Sequence, residues 1–268
     1  MGILNVTPDS FSDGGRLVDA AAAVDAALAM IAAGAGMVDV GGESTRPGAR
    51  PVDVAEEAAR VVPVVRALRA QTDVPISVDT TKPAVARAAV DAGASLINDI
   101  SGLRHDSGIA GVAAETGAAL VLMHMRGTPA DMYRYAMYTD VMSEVADELR
   151  WSVDTALAAG VSRDAIVIDP GVGFAKRAVH SWDVVAHLDH PALLALDLPL
   201  LVGASRKSFL QDAIGECPAA GRDAASLAVA TVAALAGVHI VRVHDVSGSV
   251  QAVRTADMIV AAAASGSS

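Results

Sequence analysis

Residues 75–100 read PISVDTTKPAVARAAVDAGASLINDI. An apolar run, Pro75–Val78, ends on Asp79; an Ala-rich stretch of helical period starts near Lys82 and closes with Gly93; a second apolar run, Leu96–Ile100, follows at once. Glycine at a helix end accepts the left-handed backbone that stops the helix, so the stretch spells strand, helix, strand. Because the apolar runs are continuous rather than alternating, they belong to parallel strands buried on both faces.

The same unit recurs along the chain. Further apolar runs lie at Gly2–Val6, Met37–Val40, Ala119–Met123, Ile166–Ile168, Leu200–Gly203 and Ile240–Val243, and Ala-rich segments between them close at Gly34, Gly117, Gly160 and Gly237. Eight such units in a chain of 268 residues match a closed (β/α)8 TIM barrel. The rival is an open doubly wound sheet, but no GxGxxG pattern follows the first run and no shift in composition divides the chain. The expected fold is therefore α/β, one barrel domain over residues 1–268, with a short disordered tail from about 265.

Composition narrows the partners. Hydrophobic residues make up 53% and aromatic ones 3%, so the chain is globular with a core of small and aliphatic side chains. A net charge of −11 with no basic run argues against nucleic acid. Cys217 is the one cysteine, which excludes an internal disulfide and a cysteine zinc cluster and points to a reducing interior, the cytoplasm. Mean hydropathy is +0.42, yet the charge-free stretch Ala224–Val241 contains Ser226, Thr231, Gly237 and His239 and reads as a helix followed by a buried strand, not a membrane span. The start lacks the basic and apolar regions of a signal peptide, so the acceptor pattern Asn5-Val6-Thr7 carries no weight.

Barrel enzymes place their chemistry at the C-terminal ends of the strands. The residues falling there are Asn5, Asp39 with Glu43, Asp79, Asn98 with Asp99, His124, Asp169, Ser205 with Arg206 and Lys207, then Arg242, His244 and Asp245. Any single Asp or Asn is as readily the cap of the next helix. Arg242 and His244 are not caps, and alternating within an apolar run they would bury charge without purpose. Three connections are long: Thr7–Gly15 and Glu43–Pro51 look like lids, and a third holds Tyr133, Tyr135 and Tyr138, whose rings are expected to pack on the barrel shoulder.

The strings MGILNVTPDSFSDGG from Met1, GGESTRPG from Gly41, SVDT from Ser77, INDISG from Ile97, DPGVGF from Asp169, GASRK from Gly203 and RVHDV from Arg242 together resemble dihydropteroate synthase, from Met1 to about Val260. That family joins 6-hydroxymethyl-dihydropterin diphosphate to p-aminobenzoate, releases pyrophosphate, and is the target of sulfonamides; its fold is the (β/α)8 barrel. The resemblance implies a pterin pocket of Asp79, Asn98, Asp169 and Lys207. It implies a diphosphate site of Asn5, Thr45, Arg242 and His244, with Asn5 on a Mg²⁺ ion. A p-aminobenzoate site of Phe11, Arg46, Pro47, Phe174, Ser205, Arg206 and Lys207 is implied too, with the helix after Ser205 aiding the carboxylate. Asp79, Lys207, Arg242 and His244 are the implied catalytic groups, and a homodimer is the implied assembly.

The chain departs from the family pattern in places. It begins almost at the first strand, where relatives carry a preceding hairpin. After DPGVGF it has Ala175, Lys176 and Arg177 where Gly-Lys-Thr is usual, then His180-Ser181 for His-Asn, and Arg126 stands for a common Gln. Competing readings are a pterin-binding methyltransferase module, which needs no diphosphate site; a Schiff-base aldolase using Lys207; and an inactive paralogue acting as a partner subunit.

Overall fold

The computed structural model describes residues 1–7, 16–45 and 51–265, with only the helical backbone of residues 16–19. Phe11, Arg46 and Pro47, and with them most of both lids, lie outside the described residues, as does the end of the expected disordered tail; the last helix runs through Ser265.

Strands β1 (Gly2–Asn5), β2 (Val38–Gly41), β3 (Ile76–Asp79), β4 (Leu96–Asp99), β5 (Ala119–Met123) and β6 (Ile166–Asp169) pair in parallel in chain order, and β7 (Leu201–Val202) pairs with β8 (Ile240–Val241). Two seams join these sheets. A parallel bridge links Ile168 to Leu200, and another links Gly2 to Val243, with Ile3 N–H on Val243 O at 3.0 Å and Val243 N–H on Met1 O at 2.9 Å. The circle is a closed barrel. Strands β7 and β8 are shorter than the apolar runs that announce them, and the polar residues beyond their ends follow on non-strand backbone.

The helices alternate with the strands: α1 (Arg16–Ala32), α2 (Val54–Arg69), α3 (Pro83–Asp91), α4 (Gly108–Thr116), α5 (Val141–Ala158), α6 (Ala178–Ala186), the short α7 (Pro191–Leu194) and α8 (Gln211–Ile214), α9 (Asp223–Leu235) and α10 (Val246–Ser265). Gly34, Gly93, Gly117, Gly160 and Gly237 all adopt positive φ, between 73° and 116°, where the helices end. Inside the barrel Leu96, Val121, Val167 and Leu201 form an apolar plug together with Met1, Met37 and Ile240. Outside, Val38, Val40, Ile76, Val78, Leu120, Leu122, Ile166 and Ile168 bury against helical Val61, Val64, Leu68 and Leu149. This two-sided burial is why the strands read as unbroken apolar runs. Ala224–Val241 splits into α9, the turn at Gly237 and β8, and no described helix is long and apolar enough to cross a membrane.

Candidate functional site

Strand register sets out the site before any side chain is considered. Asn5, Gly41, Asp79 and Asn98 are successive partners across β1 to β4, so they form one row at the barrel mouth. Gly41 has no side chain, and the gap it leaves is shared: Asn5 Oδ1 and Asp79 Oδ2 each lie 3.8 Å from where its Cβ would be. The row beneath contains Asp39, which is fully buried.

Arg242 follows β8, which neighbours β1 across the seam, and stands beside Gly203, where an added Cβ would lie 3.6 Å from that of Arg242. Its Nε donates to Asp39 Oδ2 at 2.6 Å and its terminal nitrogen to Asp79 Oδ2 at 2.8 Å. Asn98 Nδ2 also donates to Asp39 Oδ2, at 3.1 Å, which turns the Asn98 carbonyl oxygen away and leaves it as an acceptor. Asp39 thus aims two site residues; its position at a strand end was the sequence signal, but its inward pairing was not legible there. Asp79 is no helix cap: α3 starts from Lys82 without a side-chain cap, and burial pushes the Asp79 carboxyl up, to about 7, against the pull of Arg242.

Asp169 ends β6 and is buried; its Oδ1 accepts from Gly171 N–H at 2.7 Å, and burial raises its pKa against the attraction of Lys207. Lys207 donates to Val172 O, and its Nζ stands 4.1 Å from the centre of the Phe174 ring. Burial lowers the Lys207 ammonium to about 7, opposed by Asp169 and Asp79. Asp79, Asp169, Lys207 and Arg242 therefore form one electrostatic cluster, two acids facing two bases.

Ser205 and His244 come together: Ser205 Oγ is 3.0 Å from His244 Nδ1 and accepts from His244 N–H at 3.1 Å. Two local features bear on the p-aminobenzoate site expected around them. The segment after Ser205 is a single 3-10 turn, Ser208–Leu210, followed by the four-residue α8, so it lacks the aligned peptides that make a helix N-terminus an anion site. Arg206, at φ 60°, turns outward and forks onto Asp223 at 2.6 and 2.8 Å, while its own N–H is held by Ser226. A guanidinium so paired braces the start of α9.

Thr45 and Asn5 are both half-buried, and Asn5 stands in the row at the mouth. Asp99 and Asp245 are structural: Asp99 accepts from Ser101 and Leu103, and Asp245 from Gly248. Of the tyrosines, Tyr138 packs the third loop inward, its OH on Ala175 O at 3.0 Å and its ring 4.2 Å from the Arg126 guanidinium, whereas Tyr133 and Tyr135 are exposed. Arg126 bonds Glu144, Glu148 and Met137 O and so ties that loop to α5. A short glutamine amide cannot make this set of contacts.

A closed parallel barrel whose mouth gathers such a cluster defines an enzyme of the pterin-binding class, and the family described as "Pterin binding enzyme" matches residues 1–244. Dihydropteroate synthase of Mycobacterium leprae is 48% identical over 260 residues, covering 95% of this chain and 90% of its own. That of Escherichia coli K12 is 46% identical, covering 98% and 92%. Among solved structures, Yersinia pestis dihydropteroate synthase with a sulfonamide drug complex superposes with a TM-score of 0.91 at 44% identity, covering 97% of this chain and 94% of that one. The enzyme of Xanthomonas albilineans in complex with 7,8-dihydropteroate gives 0.86 at 41%, covering 97% and 92%. The chain belongs to the dihydropteroate synthase family.

Proposed function

We propose that this chain condenses 6-hydroxymethyl-7,8-dihydropterin diphosphate with p-aminobenzoate to give 7,8-dihydropteroate and pyrophosphate. The observation that carries the reading is the single cluster of Asp79, Asp169, Lys207 and Arg242, joined by Asn98 through Asp39. A dihydropterin edge offers an amino group and ring N–H groups, which match the acceptors of Asp169, Asp79 and Asn98 Oδ1; Lys207 supplies a donor for the opposite edge.

The C–O bond between the pterin methylene and the diphosphate breaks with its electron pair leaving on pyrophosphate. The neutral amine of p-aminobenzoate then forms the C–N bond and releases a proton. We place the developing phosphate charge against Arg242 and His244, with Thr45 at the rim, and the transient positive charge of the pterin methylene near the Asp79 carboxylate. The Ser205–His244 pair links the diphosphate side to the p-aminobenzoate side, where Phe174 and Lys207 already stack. Phe11, Arg46 and Pro47 complete that side in the proposal, and Arg206 supports it through the turn it braces.

The residues present suit Mg²⁺. Among the described residues no group of three or more His, Cys, Asp or Glu side chains is placed to hold a metal, and what the mouth offers is the Asn5 amide oxygen next to the Gly41 gap. A hard cation that keeps its waters and takes one or two protein oxygens fits such a donor. Asn5 would hold the ion, which when bound supplies counter-charge to the diphosphate oxygens. We also propose a cytoplasmic homodimer, supported by the single cysteine and by the exposed Val232, Leu235, Met258 and Ile259 on α9 and α10.

The test is pyrophosphate release from the pterin diphosphate with Mg²⁺, with and without p-aminobenzoate. Release that requires p-aminobenzoate and yields dihydropteroate supports the reading; no release would return the chain to the methyltransferase or inactive-paralogue readings. A pH series adds a sharper expectation. Lys207 is charged below about 7 and Asp79 above about 7 in the free enzyme, so kcat/KM for the anionic pterin substrate should be bell-shaped, rising with the Asp79 carboxylate and falling as Lys207 loses its proton. A profile that stays level to about pH 9 would remove Lys207 from substrate capture.

A further inference from the structure

Lys176 plays no part in the chemistry above, yet it heads the fully buried side chains by volume. Among the described residues no carboxylate lies within ion-pair distance of it. Its Nζ instead meets three acceptors: His124 Nδ1 at 2.8 Å, Gly171 O at 3.2 Å and Phe174 O at 3.2 Å. Burial pulls the Lys176 ammonium well below its ordinary value, against the attraction of Asp169, and in its charged form the three donors match these three acceptors. Burial drives the His124 pKa down to about 3, so the ring is neutral, and with Nε2 facing the Glu148 carboxylate of α5 at 3.4 Å the one proton is favoured on Nε2, which makes Nδ1 the acceptor. Glu148 is held in turn by Arg126 at 2.5 and 2.7 Å.

The loop around Lys176 is made of backbone that will not hold itself. Gly171, Gly173 and Ala175 all have positive φ, at 68°, 79° and 47°, and Ala175 stands where the family pattern has glycine. Side chains are excluded at Gly171, where a Cβ would run into the His124 carbonyl. The alternation throws the Gly171 and Phe174 carbonyls inward onto Lys176 and the Val172 carbonyl onto Lys207. Asp169 is held on β6 by its register with Met123 of β5 and touches the loop through one bond, from Gly171 N–H to its Oδ1. Phe174 has no such strand pairing.

We propose that Lys176 is a positioning residue for the p-aminobenzoate half of the site: by gathering the Gly171 and Phe174 carbonyls against His124 it fixes the Phe174 ring over Lys207. This rests on the role proposed above for Phe174. The consequence is a split between the two substrates, because the pterin acceptors Asp79, Asn98 and Asp169 sit on strands and the ring sits on the loop.

The experiment compares the full chain with its Lys176→Met variant, which keeps bulk and removes all three donors. Expected are a KM for p-aminobenzoate raised about tenfold or more, since buried acceptors are left unpaired, and a calorimetric Kd for 6-hydroxymethylpterin changed by less than about twofold. Amide hydrogen exchange should quicken across residues 171–175 while β6 stays protected. Unchanged exchange there, or equal weakening of both substrates, overturns the proposal. If Lys176→Met does not fold, His124→Phe, which withdraws one acceptor and keeps the lysine, should show the same split at about threefold, and no split overturns the proposal. Wild-type enzyme that releases no pyrophosphate would instead overturn the reading of the site, and the exchange result alone then decides whether Lys176 orders the loop.

Discussion

Replacing Arg242 by methionine is expected to lower kcat by about 10²–10³-fold and, separately, to destabilise the fold by about 3–5 kcal/mol. The two losses have different origins. The catalytic one is the removal of the cation proposed to face the departing pyrophosphate. The stability one follows from geometry on hand: the guanidinium binds Asp39 and Asp79, and its removal leaves two buried carboxylates with no counter-ion at their Oδ2 atoms. The pH dependence separates them. Burial already raises Asp79 to about 7 while Arg242 pulls it down, so without Arg242 it titrates higher still. An acid whose folded pKa exceeds its unfolded value binds more protons in the folded state, and stability falls as pH rises between the two values. The Tm gap between wild type and variant should therefore widen above about pH 7 and narrow at about pH 5, as thermal unfolding at several pH values would show. A gap independent of pH would mean that Asp79 does not feel Arg242. Arg242→Lys should recover little, since a single ammonium cannot span both carboxylates as the fork does.

The barrel was legible because its signals are local. Apolar runs such as Ile76–Val78, each followed by an acid or amide and several reached through a glycine turn, survive intact in the structure as strands with Asp79, Asn98 and Asp169 at their ends. The candidate site was legible for the same reason, since position at a strand end needs no knowledge of contacts. What was not legible is long-range pairing. Nothing in the neighbourhood of Asp39 says that it will meet Arg242, and nothing near Arg206 says that Asp223 will claim it. His124, Lys176 and Glu148 come from β5, the loop after β6 and α5, so their union exists only once the barrel has closed. Helix N-termini misled in the opposite direction: the segment after Ser205 has the composition of a helix start, but Gly215 lets it continue only to Ile214.

Asp169→Asn is the second large effect, and it should leave the fold nearly untouched. Asp169 Oδ1 accepts from Gly171 N–H, and the asparagine carbonyl can take over that bond, so the change in stability should stay within about 1 kcal/mol. Oδ2 is the atom proposed to receive the pterin. An amide in its place presents N–H where the ligand also presents N–H, and a buried donor facing a donor leaves both unpaired. Pterin affinity and kcat/KM should both drop by about 10²–10⁴-fold, with the KM for p-aminobenzoate altered far less. Acid pH supplies an internal control. Burial raises the pKa of Asp169, so lowering the pH returns its proton and pits binding of the pterin N–H groups against that protonation. Wild-type pterin affinity should therefore weaken as pH falls, and that weakening should be smaller in the variant, which has no proton to gain at this position. Calorimetry with 6-hydroxymethylpterin at a series of pH values measures both. A variant that binds the pterin as tightly as wild type would show that the heterocycle is clamped elsewhere in the mouth.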